Sequence, residues 1–178
     1  MRVFLLSLMA LCLVNCGQEK PTLQKYFVKS ADKKEFITLD VSSSILNIDK
    51  NKLTESEKQA LASFDKVNIL AYKKNEKSEV AYKKEIEDVK EILKDTIYEP
   101  LIKLNGKNNN ASIMLVGDDK AIDELVLFGN QNELGFTVIR VLGNNMKPEQ
   151  ALEFLSILQK SSIDTKQLQP IFNFVNKK

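Results

Sequence analysis

Residues 122–142 read Ile122-Asp123-Glu124-Leu125-Val126-Leu127-Phe128-Gly129-Asn130-Gln131-Asn132-Glu133-Leu134-Gly135-Phe136-Thr137-Val138-Ile139-Arg140-Val141-Leu142. Two runs of strand-forming residues, Ile122 to Phe128 and Leu134 to Leu142, flank the five residues from Gly129 to Glu133. Strand formers around a short glycine-led gap describe a hairpin, and a hairpin pairs its strands antiparallel. Working outward, Ser112 to Val116 adds a strand on the upstream side, which makes a meander. Gly143-Asn144-Asn145 is expected to break the chain on the downstream side. Farther upstream, Phe36-Ile37-Thr38-Leu39-Asp40-Val41 alternates as a strand, and Val67-Asn68-Ile69-Leu70-Ala71-Tyr72 is apolar enough to lie inside a sheet.

The remaining periodicity is helical. Tyr82, Ile86, Val89, Leu93 and Ile97 are spaced by four, three, four and four, one apolar stripe on a helix from Ser78 to about Lys94 that is otherwise lysine and glutamate. Thr54-Glu55-Ser56-Glu57 is a capping box that opens a helix to Phe64, because Thr54 and Glu57 each satisfy a backbone N–H that the first turn leaves open. Shorter helices are expected at Leu23–Val28, after Pro148 with Leu152, Leu155 and Leu158 inward, and around Pro170. Ser42 to Ile48 reads as a helical turn, and Asn105 to Asn110 as an exposed loop after the bend at Pro100. One stripe per helix and an antiparallel meander predict a single α+β domain over residues 23–178. It has two layers: a mostly antiparallel sheet of about five strands, with helices packed on one face.

The chain has 178 residues, 28% of them charged, with 26 basic and 24 acidic side chains. A net charge of +2 supplies no basic field, and nucleic acid is not an expected partner. Histidine and tryptophan are absent, and both cysteines, Cys12 and Cys16, lie in the first sixteen residues. Histidine-based triads, histidine–zinc sites and thiol chemistry in the folded domain are thereby excluded. No P-loop or GxGxxG pattern is present, and no cofactor is expected.

Met1-Arg2 gives one positive charge, and Val3 to Val14 is apolar apart from Ser7. As a helix that run would span about 18 Å, too short for a bilayer core of about 30 Å, and it describes an export signal. Leu13-Val14-Asn15-Cys16-Gly17 resembles the lipobox of bacterial lipoproteins, with Asn15 where a smaller residue is usual. The resemblance implies a signal peptide over residues 1–15, a tether over 16–22 and Cys16 as the lipid attachment site. The partner expected from it is the membrane, through an N-terminal lipid anchor. Gly17 and Gln18 follow the cysteine where enterobacteria place the aspartate that retains lipoproteins in the inner membrane, so the outer membrane, facing the periplasm, is the expected location.

The stretches Leu23-Gln24-Lys25-Tyr26-Phe27, Phe36 to Ser42, Val67 to Tyr72, Ile122 to Gly129 and Gly135 to Gly143 together resemble a family of small Bacteroidetes lipoproteins known as domain of unknown function 4252. The resemblance implies an exported, lipid-anchored envelope protein and brings no catalytic residues with it.

Three groupings stand out as candidate sites. Asp118, Asp119, Asp123 and Glu124 form an acidic cluster that could serve a hard cation or a metal-dependent hydrolase. It fails the alternate-position calcium pattern and reads equally as a polar turn. Arg140 lies in an apolar strand on the face of Phe136, Val138 and Leu142. It must pair with a carboxylate or reach solvent, and it is the candidate ligand or partner contact. Asp95-Thr96-Ile97 resembles the tripeptide at which some Bacteroidetes glycosylate exported proteins, with Ile97 expected inside. The function expected is a non-enzymatic envelope module that binds a protein or a glycan. The alternative is a small-ligand carrier with Arg140 as the polar anchor of a pocket between sheet and helices.

Overall fold

The computed structural model describes residues 20–42, 46–75, 79–107, 109–118, 120–160, 162–163 and 166–176. In chain order the elements are α1 (Leu23–Ser30), β1 (Phe36–Ser42), β2 (Leu46–Asn47), a 3₁₀ turn (Lys50–Lys52), α2 (Glu55–Ala62), β3 (Phe64–Lys73), α3 (Glu79–Ile92) and β4 (Glu99–Asn105). Then follow β5 (Asn109–Gly117), β6 (Ile122–Gln131), β7 (Gly135–Met146), α4 (Pro148–Lys160), β8 (Ser162–Ile163) and α5 (Gln169–Asn176). Cys12 and Cys16, the export signal and Asp119 lie outside the described residues.

The α+β class and the antiparallel sheet hold, and the main sheet has six strands in the order β1-β3-β7-β6-β5-β4. The strand beyond the expected five is β4, which includes Pro100. Pro100 sits beside Met114 of β5, and the register slips by one residue between Pro100 and Ile102. A proline without an N–H and a bulge are both tolerated there because β4 is an edge strand, exposed along its whole length. Gly143 does not end β7, which continues to Met146. Leu46–Asn47 pairs with Ser162–Ile163 where a helical turn was expected.

Helices cover both faces of the sheet rather than one. On the first face α1 and α3 bring Leu23, Tyr26, Phe27, Tyr82, Ile86, Val89 and Ile92 onto Phe36, Leu70, Tyr72, Val126, Phe136 and Val138. On the second face Ala151 and Phe154 of α4 meet Val41, Ile69, Leu125 and Val141, with Leu61 of α2 and Ile171 of α5 beside them. The reason lies in the central strands. Leu125 and Val126 are adjacent, point to opposite faces and are both 0% exposed, so each side of β6 needs its own cover. The inward side of α4 is Ala151, Phe154 and Ile157, while Leu152 is exposed; the side chains of Leu155 and Leu158 lie outside those described.

Local signals were honoured where the chemistry was strong. Thr54 accepts from the Glu57 N–H at 3.2 Å, and Glu57 accepts from the Thr54 N–H at 2.8 Å. Tyr82, Ile86, Val89 and Leu93 are buried, whereas Ile97 is half exposed because α3 has ended by then. Gly135 has φ +131°, and a Cβ there would lie 1.9 Å from the Tyr72 carbonyl oxygen, so only glycine fits where β7 meets β3.

Candidate functional site

Arg140 and Glu124 form the polar knot of the first face. Arg140 Nε donates to Glu124 Oε1 at 2.7 Å and Nη2 donates to Glu124 Oε2 at 2.8 Å, a two-point pair between groups less than a tenth exposed. Nη1 donates to Gln24 Oε1 of α1 at 2.5 Å, and the guanidinium stands 5.5 Å from the centre of the Phe27 ring. Of the two outcomes open to an arginine in this strand, the paired one is realised. The register extends the polar row: Asp40 lies opposite Asn68, Asn68 opposite Arg140, and Asn68 Nδ2 donates to Asp40. Tyr98 is buried against the same knot. Its phenol is pushed above the ordinary range by burial first and by the Glu124 charge second. The knot thus fastens α1 to the sheet.

The acidic residues do not converge. Asp118 is exposed, and its Oδ1 accepts from the Lys120 and Ala121 N–H groups at 2.8 and 2.9 Å. Those two backbone donors hold its carboxyl below the usual range. Asp123 is exposed at the register shift in β6, while Glu124, the next residue, is buried and pairs with Arg140. Among the described residues, no three histidine, cysteine or carboxylate side chains gather as a cation would require. Thr96 is exposed in the turn after α3, where Asp95 Oδ1 accepts from the Ile97 N–H at 3.2 Å.

The feature that sequence reasoning missed lies on the second face, at the border of the core that α4 and α5 cover, with Ile113, Leu127 and Ile139 packed against that core. The register places Leu104, Ala111, Gly129, Thr137 and Ala71 in one row across five strands. One step along the strands runs a second row, Ile102, Ile113, Leu127, Ile139 and Ile69. Small residues in one row beside branched aliphatics in the next leave a trough. A cavity of about 360 Å³ lies over Ile102, Leu104, Ala111, Ile113, Leu127, Gly129, Thr137 and Ile139. A second, of about 410 Å³, shares Gly129 and Thr137 with it and lies at the hairpin end of the sheet, lined also by Asn109, Gln131 and Leu134 and by Tyr72, Asn130 and Phe136. Both fall in the range of about 300–1,000 Å³ common to small-molecule sites. Among the described residues neither lining includes a charged side chain or Arg140, although Lys73 lies in the same cross-strand row as Asn109 and Gln131, beyond Gly135, with its Nζ donating to the Phe174 carbonyl at 3.1 Å. Sequence could have signalled the wall of the trough, since Ile102 and Leu104 alternate after Pro100. The floor needed the register of four strands.

No curated protein and no solved structure matches the chain. One family model does, over residues 26–154, which runs from within α1 to the first turns of α4. With well over half its length matched, the chain belongs to the family described as domain of unknown function 4252.

Proposed function

We propose that this protein is an exported, lipid-anchored binding module of the cell envelope, attached through Cys16 and binding its partner at the trough of the second face. One observation carries the binding role. In a chain 28% charged, an apolar trough open to solvent is lined, among the described residues, without a charged side chain. A largely apolar concavity of this size is where a binding partner is first sought.

The position of the tether supports the same reading. Lys20 pairs with Asp95 at 3.6 Å, so the chain enters the domain near the start of β4. Leu104 lies five residues farther along β4 than Glu99, a rise of roughly 17 Å, so the trough lies toward the end of β4 away from Lys20. Processing of bacterial lipoproteins adds several acyl chains, and several chains hold a protein on a bilayer far longer than one.

The anchor is tested by feeding cells a clickable palmitate analogue and separating membranes from soluble protein. The full chain is expected to carry label and to sediment with membranes, and Cys16→Ala to lose both. Unlabelled wild type, or undiminished label in Cys16→Ala, would remove the anchor from the proposal.

A further inference from the structure

We infer that Asn105 is a site of spontaneous deamidation: the Gly106 backbone nitrogen attacks the Asn105 side-chain amide, and the hairpin between β4 and β5 holds this reaction back. The inference is independent of the binding role and of the anchor.

Of the 15 asparagines in the chain, only Asn105 is followed by glycine. The missing side chain at Gly106 leaves its nitrogen unhindered and lets the backbone turn that nitrogen onto Cγ. The bond that forms joins Gly106 N to Asn105 Cγ. The bond that breaks is Cγ to Nδ2, and Nδ2 leaves as ammonia, taking up the proton that the Gly106 N–H gives away. The five-membered imide then adds one water and opens at either carbonyl, giving aspartate or a β-linked isoaspartate. Both residues are exposed, so water and hydroxide reach them. Lys103 and Lys107 flank the pair in sequence, and positive charge nearby favours both the deprotonated nitrogen and the carboxylate produced.

The fold opposes the first step at two points. The Gly106 N–H donates to the Asn109 carbonyl at 2.8 Å, so the nitrogen that must lose its proton is engaged. Asn105 ends β4 and pairs with Asn110 of β5, which keeps its backbone extended. Attack therefore waits for the turn to open. That opening is local, because β4 is an exposed edge strand whose one neighbour in the sheet is β5. An isoaspartate would carry an extra methylene into the main chain at the Asn105–Asn110 pair, next to Leu104 opposite Ala111. The end of β4 would then lose register with β5.

The experiment is incubation of the full chain at pH 8, folded and in denaturing guanidinium chloride, followed by tryptic mapping with isoaspartate detection. Cleavage after Lys103 and Lys107 isolates Leu104-Asn105-Gly106-Lys107. In guanidinium this peptide is expected to convert before any other, and in the folded chain at least about tenfold more slowly. Hydrogen exchange of the Gly106 amide should show the same factor of protection, because one opening admits both reactions. Gly106→Ala, compared in guanidinium where its effect on the fold does not enter, should slow conversion about tenfold by crowding the nitrogen. Earlier conversion at another asparagine in guanidinium, or Gly106→Ala converting as fast as wild type, would overturn the site. A folded chain converting as fast as the unfolded one, or a Gly106 protection that departs from the ratio of rates by more than about tenfold, would overturn the restraint by the hairpin.

Discussion

On the first face of the sheet Leu70, Val126 and Val138 are sealed beneath α1 and α3, whereas on the second face Leu127 and Ile139, each one residue along the same strands, stay partly open. The first face closes around aromatic rings. Phe36 meets Tyr72 edge-on at 4.9 Å, and Tyr72 stacks on Phe136 at 5.2 Å. It also holds the Arg140–Glu124 pair. The second face is aliphatic, and its helices cover only part of it. The comparison separates a face built to lock an element in place from one with room left on it.

The sharpest break of that contrast is in the polar knot. Arg140→Ala leaves Glu124 buried without its partner, and Glu124→Ala does the converse; either should cost about 3–5 kcal/mol in denaturant unfolding. The double variant Arg140→Met with Glu124→Leu should recover most of that loss, since two apolar side chains need no partner. Recovery would place the value of the pair in fixing α1 rather than in net stability. A double variant as unstable as the worse single one would contradict this.

A leucine series compares the faces directly. Leu70→Ala on the first face and Leu125→Ala on the second, both 0% exposed, should each cost about 2–5 kcal/mol. Leu127→Ala, in the floor of the trough, should cost clearly less, and Leu104→Ala should stay within about 0.5 kcal/mol. A Leu104→Ala cost as large as that of Leu125→Ala would show that the trough is covered in solution.

Glycines give the next contrast. Gly135→Ala drives a Cβ against the Tyr72 carbonyl at a positive φ and should cost at least about 2 kcal/mol, measured by thermal or urea unfolding. Gly129→Ala, six residues earlier and on the same face, should change stability little, because its Cβ enters open space. Equal costs would erase the distinction between a glycine that closes a turn and one that floors a site.

These contrasts also show what the residues disclosed on their own. The hairpin, the capping box and the α3 stripe were legible because each is a local pattern whose chemistry has one good solution. The extra strand was hidden by Pro100, which argues against a strand except at an edge, and being at an edge is a property of the whole sheet. Cover on both faces was written in Leu125-Val126 and in Ile69-Leu70-Ala71-Tyr72, where alternation lapses because both neighbours are apolar. The fate of Arg140 was half legible: the need for a partner follows from the strand, but Gln24 lies 116 residues away in the chain and only the fold brings it there. The trough was not legible at all. Ala111, Gly129 and Thr137 look unrelated until the register aligns them.

The smallest effect expected is on alkaline stability, and it too should divide the faces. All four tyrosines, Tyr26, Tyr72, Tyr82 and Tyr98, belong to the first face. Burial, and then the carboxylate of Glu85 that accepts from Tyr26 Oη at 2.7 Å, pushes the Tyr26 phenol far above its ordinary value of 10.0. A raised phenol keeps its proton in the folded state when the unfolded chain would release it. Its contribution to stability is therefore complete below about pH 10 and is lost as pH rises further, by at most about 1.4 kcal/mol per pH unit for each such group. Lysines titrate in the same range, so the quantity to measure is the difference between wild type and Tyr26→Phe in urea midpoints from pH 9 upward. The variant lacks the Glu85 hydrogen bond and starts lower, yet its midpoint should fall less steeply. Amide exchange at pH 10.5 should rise in α1 before it rises in α4, since all four tyrosines belong to the first face. Parallel slopes for wild type, Tyr26→Phe and Tyr98→Phe would mean that neither phenol is held protonated by the fold.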